Sequence, residues 1–355
     1  MNRNLARQAR TALSYLTLVW ALTQGAQAQS FKLGHAELAQ ADGGTTTLFY
    51  PTLTAEAPVQ KGPFQFSWGD DAPPVQGNRR LIVISHGSGG SPWVHTDLAR
   101  TLVERGFVVA LPQHQADNYL DPSEPGPVSW AKRPAEVSHA IDAVAADASL
   151  ARLLQLDTVG VFGGSAGGHT ALTLAGGQWS FSRFRDHCAA HIEEDFSSCV
   201  GFTTLLHGNW LDGLKLWFAR RIIASRFSDD TVREYSDPRI KAAVAMVPFA
   251  ADFIPASLAQ PKITLGLITA AKDVNQVPRF HGEMVKAACL PRCTVIMHLE
   301  EGGHGAMLSP LPPLKEGGIA QHLLSDPPGF DRAATLPVLH ARIAEFFERT
   351  LQVKP

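Results

Sequence analysis

Hydrophobic positions in this chain fall into short continuous runs. "RLIVIS", "FVVALP", "DTVGVFG", "IKAAVAMVP", "KITLGLITA" and "CTVIMHLE" are apolar stretches bounded by Gly, Pro or charged residues. Such runs read as strands buried on both faces. Between them, "TDLARTLVERG", "RPAEVSHAIDAVAAD", "AGGHTALTLAG" and "LPVLHARIAEFFERTL" repeat apolar residues at helical spacing. The first ends on Gly106, and the second carries Pro134 in its first turn. Alternation of such strands and helices predicts an α/β fold with a mostly parallel central sheet and helices on both faces. Upstream, "HAELAQADGGTTTLFY" predicts two strands joined at Asp42-Gly43, followed by an irregular Pro/Gly-rich stretch to Arg80.

Two segments break this rhythm. At the start, "MNRNLARQAR" carries Arg3, Arg7 and Arg10 without an acid, the apolar run "TALSYLTLVWALT" follows, and Ala26–Ala28 reads A-Q-A. Basic, apolar and small-residue parts in that order predict a signal peptide over residues 1–28, and so a secreted or periplasmic protein; an amphipathic first helix is the other reading. The apolar run is short for a membrane span, and no stable membrane anchor is expected. The mature part, 29–355, then reads as one domain. Within it, residues 178–238 separate a helix from the next strand by more than a plain connection needs. They hold Trp179, Phe181, Phe184, Phe196, Phe202, Trp210, Trp217, Phe218 and Phe227. This segment is expected to be a helical cap, with Trp210, Trp217 and Phe218 walling a substrate pocket.

Composition narrows the classes. With 355 residues, 45% of them apolar, and a formal charge of −2, the chain can bury a large core but offers no basic footprint for nucleic acid. The four cysteines of an exported chain are expected to pair locally, Cys188 with Cys199 and Cys289 with Cys293. Free buried thiols are the alternative. No histidines flank these cysteines at zinc spacing, so no metal is expected, and no nucleotide-binding glycine pattern implies a cofactor.

The chemistry gathers at strand ends. Gly163-Gly164-Ser165-Ala166-Gly167 lies between an apolar strand and a helix and fits G-x-S-x-G. That pattern sets a serine on a sharp strand-to-helix turn, with small neighbours that let strand and helix pack closely. A serine hydroxyl needs a base, and the base an acid to orient it, here in the order Ser, acid, His. His304 in "LEEGGHGAML" follows the last strand, and Asp273 in "LITAAKDVNQVP" follows the one before. Asp252 in "PFAADF" is a rival acid one strand earlier. His86-Gly87-Ser88-Gly89-Gly90 ends another strand, so the backbone N–H groups of Ser88 and Ala166 are the expected oxyanion donors. Of the remaining polar residues, His114, Asp117 and Asn118 are expected to hydrogen-bond within their loop, His95 and His169 to cap or pack, and His281 to lie on a helix surface.

The segments "VISHGSGGS", "GFVVALPQHQADN", "WAKRPAEVSHAIDAV", "GVFGGSAGGHTAL" and "EEGGHGAML" resemble the bacterial dienelactone-hydrolase-like branch of the α/β-hydrolases, which is similar to the platelet-activating-factor acetylhydrolases. The resemblance runs from about Phe49 to the final helix. It implies the α/β-hydrolase fold, hydrolysis of small-molecule carboxylic esters, and a triad of Ser165 as nucleophile, Asp273 as acid and His304 as base. Dienelactone hydrolases proper carry a cysteine where this chain has Ser165, and platelet-activating-factor acetylhydrolases place the acid near Pro248. Lactone, amide or peptide cleavage by the same triad is a second functional expectation. An exported non-catalytic binding module on a hydrolase fold is a third.

Overall fold

The computed structural model of the protein describes residues 30–352; the expected leader, residues 1–28, lies outside them. The apolar runs become strands β5 (Leu81–Ser85), β6 (Val108–Pro112), β7 (Val159–Gly164), β8 (Ile240–Met246), β9 (Thr264–Ala270) and β10 (Thr294–Leu299), all paired in parallel. Strands β1 (Lys32–Ala39) and β2 (Thr45–Thr52) form the expected hairpin around Asp42-Gly43, and β2 joins the sheet antiparallel to β6. The complete order is β10-β9-β8-β7-β5-β6-β2-β1-β4-β3.

Strands β3 (Ala57–Lys61) and β4 (Phe64–Asp70) correct the expectation of an irregular stretch. Phe64, Phe66 and Trp68 alternate with polar residues across a turn at Gly62-Pro63, which is a hairpin pattern. Pro58 is tolerated because β3 closes the edge of the sheet.

Alternation along the central strands sorts two cores. Ile82 and Ile84 of β5 pack with helix α1 (Thr96–Glu104) and the last helix. Leu81 and Val83 pack with helix α2 (Pro127–Ala146) on the opposite face. Helix α3 (Ala166–Leu174) starts directly after β7 and is buried along its whole length. Residues 178–238 hold helices α4 (Phe181–His191), α5 (Phe196–Val200) and α6 (Leu211–Arg226). Helix α7 (Gly282–Cys289) follows β9, and α8 (Arg332–Thr350) ends the fold. Disulfides join Cys188 to Cys199 and Cys289 to Cys293, the expected pairing. Among the described residues, no helix is long and apolar enough to cross a membrane.

Candidate active site

Ser165 sits at the junction of β7 and α3 with φ 56° and ψ −118°. Positive φ is costly for a residue with a Cβ, so the surroundings must hold it. The Ser165 N–H donates to the Met246 carbonyl (3.1 Å), and the Ser165 carbonyl accepts from His169 N–H (3.0 Å) and Phe249 N–H (3.2 Å). The flanking glycines allow the close approach: a Cβ on Gly163 would overlap the Gly167 carbonyl, and one on Gly167 would overlap the Ser85 carbonyl. The turn therefore forces small residues two before and two after the serine.

The strand ends β9 and β10 bring the partners. His304 Nε2 lies 3.0 Å from Ser165 Oγ, and His304 Nδ1 lies 2.7 Å from Asp273 Oδ2. All three residues are buried, Ser165 being 6% exposed. The other Asp273 oxygen accepts backbone N–H bonds from Asn275 (2.9 Å) and Gln276 (2.8 Å), which fix the carboxylate plane. The turn bearing His304 is held by Arg332, whose guanidinium donates to the Gly305 carbonyl (2.8 Å) and pairs with Asp326. Asp252 goes elsewhere: its carboxylate lies 3.2 Å from His169 Nε2, both residues fully buried among Trp130, Trp179 and Phe253. The structure thus brings Asp273, and not Asp252, to His304.

The loop after β5 carries Ser88, and Ala166 opens α3. His114 and Asp117, expected to hydrogen-bond within their own loop, reach out of it and build a side-chain network that fixes the Ser88 loop, while Asn118 does bond within its loop, to the His114 carbonyl. Ser88 Oγ and Gly89 N–H both donate to Asp117 Oδ1, at 2.6 and 3.0 Å. Asp117 Oδ2 pairs with Arg133 at 2.8 Å, and Arg133 also donates to the His86 carbonyl (2.5 Å), with both partners of the ion pair fully buried. His114 bridges Ser85 Oγ (2.7 Å) and Glu136 (2.5 Å) beneath it. Burial pushes the His86 and His114 imidazoles well below their ordinary range, with the Arg133 charge acting the same way. The signal for Arg133 was present: it lies four residues after Ser129 and four before Val137, on the buried stripe of α2.

Two expectations are corrected. His281 is 1% exposed, not on a helix surface: its Nδ1 accepts the Ala250 N–H (3.0 Å), and its Nε2 lies 2.9 Å from Asp195 Oδ2. Asp195 also meets His187 Nε2 (2.8 Å), Ser198 Oγ (2.8 Å) and Val277 N–H (3.1 Å). Because His281 Nδ1 accepts, its neutral ring carries the proton on Nε2 and donates to Asp195. The His187–Asp195–His281 group therefore lacks the free Nε2 lone pair that a metal would need, and works as a hydrogen-bonded bolt. It ties α4 and α5 to the loop that bears Asp273.

The second correction concerns Trp210, Trp217 and Phe218, expected as pocket walls. They stand in solvent on α6 and its N-cap, 84%, 55% and 50% exposed, and Trp217 and Phe218 pack against each other. Helix α6 rests on the body through a narrow stripe of Leu216, Ala219 and Ile223, which turns its other aromatics outward. A cavity of about 550 Å³ is lined by residues of β3, β4 and α1 and includes none of Ser165, Asp273 and His304.

No family model matches the chain, and no curated protein matches it. Among solved structures, it is similar to a ferulic acid esterase from Streptomyces cinnamoneus, with a TM-score of 0.57, 17% identity, and coverage of 94% of this chain and 93% of that one. This likeness and the sheet order give the chain the α/β-hydrolase fold, with a helical insertion after α3.

Proposed function

We propose that the protein is a serine carboxylic-ester hydrolase that works through an acyl-enzyme. The observation that carries this reading is the continuous chain of short contacts from Ser165 Oγ through His304 to Asp273, anchored on a strained turn. In the first half-reaction His304 Nε2 takes the hydroxyl proton as Oγ attacks the ester carbonyl. The tetrahedral oxyanion is held by the N–H groups of Ser88 and Ala166, and collapse expels the alcohol, which leaves with that proton. Water, deprotonated by His304, then cleaves the acyl-enzyme and releases the acid. Arg133 and Asp117 act as positioning residues for the Ser88 loop.

The near-complete burial of Ser165 supports a small acyl group. The solved neighbour is itself named an esterase, and the sequence motifs favour the dienelactone-hydrolase-like branch with serine as nucleophile. Two disulfides suit an oxidising compartment, so the chain is proposed to be exported with residues 1–28 as its leader and 29–355 as the hydrolase domain.

Assay of p-nitrophenyl esters of graded acyl length, beside the matching anilides and a lactone, tests the reaction class. Ser165→Ala should lower kcat by roughly 10⁶. Asp273→Asn should cost far more than Asp252→Asn; the reverse order would move the acid to the earlier strand.

A further inference from the structure

The Ser165 hydroxyl has a second partner. Asp273 is a carboxylate acceptor, so His304 Nδ1 carries its proton and Nε2 its lone pair, and the Ser165 O–H donates to Nε2. Oγ then has lone pairs to offer and no proton left. Gln276 Nε2 lies 3.1 Å from it. The amide must face this way, because its oxygen would meet an Oγ whose proton is already committed. At the other end Gln276 Oε1 is buried and has no protein partner. Burying an amide oxygen unpaired is costly. A methionine would fill the same space without that cost, so packing alone does not account for the glutamine.

Resting on the serine-hydrolase reading above, we propose that Gln276 is a further catalytic residue: its side-chain N–H donates to Ser165 Oγ and stabilises the negative charge that Oγ carries in both half-reactions. As Oγ attacks, its O–H bond breaks toward His304 and its electron pair forms the bond to carbonyl carbon. In the second half-reaction water, giving a proton to His304, bonds the acyl carbon, and as that tetrahedral intermediate collapses the C–Oγ bond breaks, Oγ keeps the electron pair, and His304 returns the proton to it. A donor at Oγ is strongest when Oγ is most negative, so it acts on kcat more than on KM. The oxyanion donors act on the other oxygen, so the two sets divide the charge between them. The same residue serves the acid, since its backbone N–H donates to Asp273 Oδ1. One turn thus steadies the acid and touches the nucleophile.

Gln276→Met keeps the length and removes both polar atoms. With p-nitrophenyl acetate and the full chain, kcat should fall tenfold to a hundredfold, as for loss of a hydrogen bond to a charged group. KM should stay within about twofold, and the pH at which activity half-falls on the acid side should not move. Unchanged kcat overturns the proposal. So does a fall accompanied by a displaced acid limb, because that would mean the substitution acts by disturbing the Asp273 turn. Gln276→Glu supplies a second test where Gln276→Met folds poorly: an acceptor replaces the donor, so its deficit should widen as pH rises through the carboxyl range, and wild-type activity in this variant overturns the proposal. Failure of the underlying reading shows separately, in the wild-type protein, as absence of a Ser165 adduct with an alkyl fluorophosphonate.

Discussion

The two halves of the insertion between α3 and β8 have similar aromatic content and opposite fates. Helices α4 and α5 bury Phe184, Phe196, Cys188 and Cys199 and send Asp195 and Ser198 into the loop that bears Asp273, where Ser198 Oγ, whose one proton goes to the Asp195 carboxylate, also lies 2.9 Å from the Asn275 carbonyl. Helix α6 holds Trp217, Phe218 and Ile222 in solvent. The difference lies in polar partners. Asp195 has a charge to be satisfied and finds two imidazoles, a hydroxyl and a backbone N–H, which fixes where its segment must sit. The apolar side chains of α6 impose no such geometry. Aromatic content alone therefore does not identify a pocket wall, whereas a buried carboxylate with four donors does identify a joint.

The strongest way to break this contrast is at Asp195. Asp195→Ala leaves four donors unpaired and should cost ~3–5 kcal/mol in urea denaturation. It should also lower kcat, because the Val277 end of the acid loop loses its anchor. Full stability and activity would reduce the bolt to an ornament. Next in size, Cys188→Ala with Cys199→Ala opens a short loop and should cost ~3 kcal/mol in the chain-entropy account. The same urea midpoint measures it.

Acid separates the joint from the rest of the core. Burial pulls His340 to about 4 and His95 to about 3, from an ordinary value of 6.5. With folded values below unfolded ones, falling pH lets the unfolded chain bind protons first. Stability should drop from about pH 6.5 downward, by on the order of a few kcal/mol at pH 4. Burial raises the Asp195 carboxyl, yet the hydrogen bonds from His187 and His281 outweigh burial and hold it well below the usual carboxylate range. Its contribution is complete above pH ~4 and is lost only below. Melting curves of wild type and Asp195→Asn should therefore stay parallel from pH 7 to 5 and converge only in stronger acid. The smallest effect belongs to α6. Trp217→Ala should change stability by under ~0.5 kcal/mol, and should change kcat/KM equally for acetate and aromatic esters. A selective loss on aromatic esters would restore the pocket-wall expectation.

What was legible in the sequence follows the same logic. Gly163 and Gly167 are written into the chain because a backbone approach excludes every side chain there, Gly89 because its φ is +63°, and strand-end positions expose Asp273 and His304 in order. The β3–β4 hairpin was hidden by Pro58, Gly62 and Pro63, residues that an edge tolerates and a central strand does not. Asp195 and Gln276 were missed, and His281 misplaced, because their partners are remote in sequence: Asp195 meets Val277 and His281 across 82 and 86 residues, and Gln276 meets Ser165 across 111. No local period records such meetings. The outward turn of α6 is set by which narrow stripe finds a body to rest on, and the sequence of α6 carries apolar residues on more than that stripe.

The central claim is that Ser165 forms the covalent intermediate. Treatment with an alkyl fluorophosphonate, followed by peptide mass mapping, tests it most directly. One adduct per chain, on Ser165, with esterase activity lost in proportion to labelling and no adduct in His304→Ala on the same timescale, is the predicted result. Complete labelling of Ser165 with activity retained, or an active Ser165→Ala protein, would contradict it.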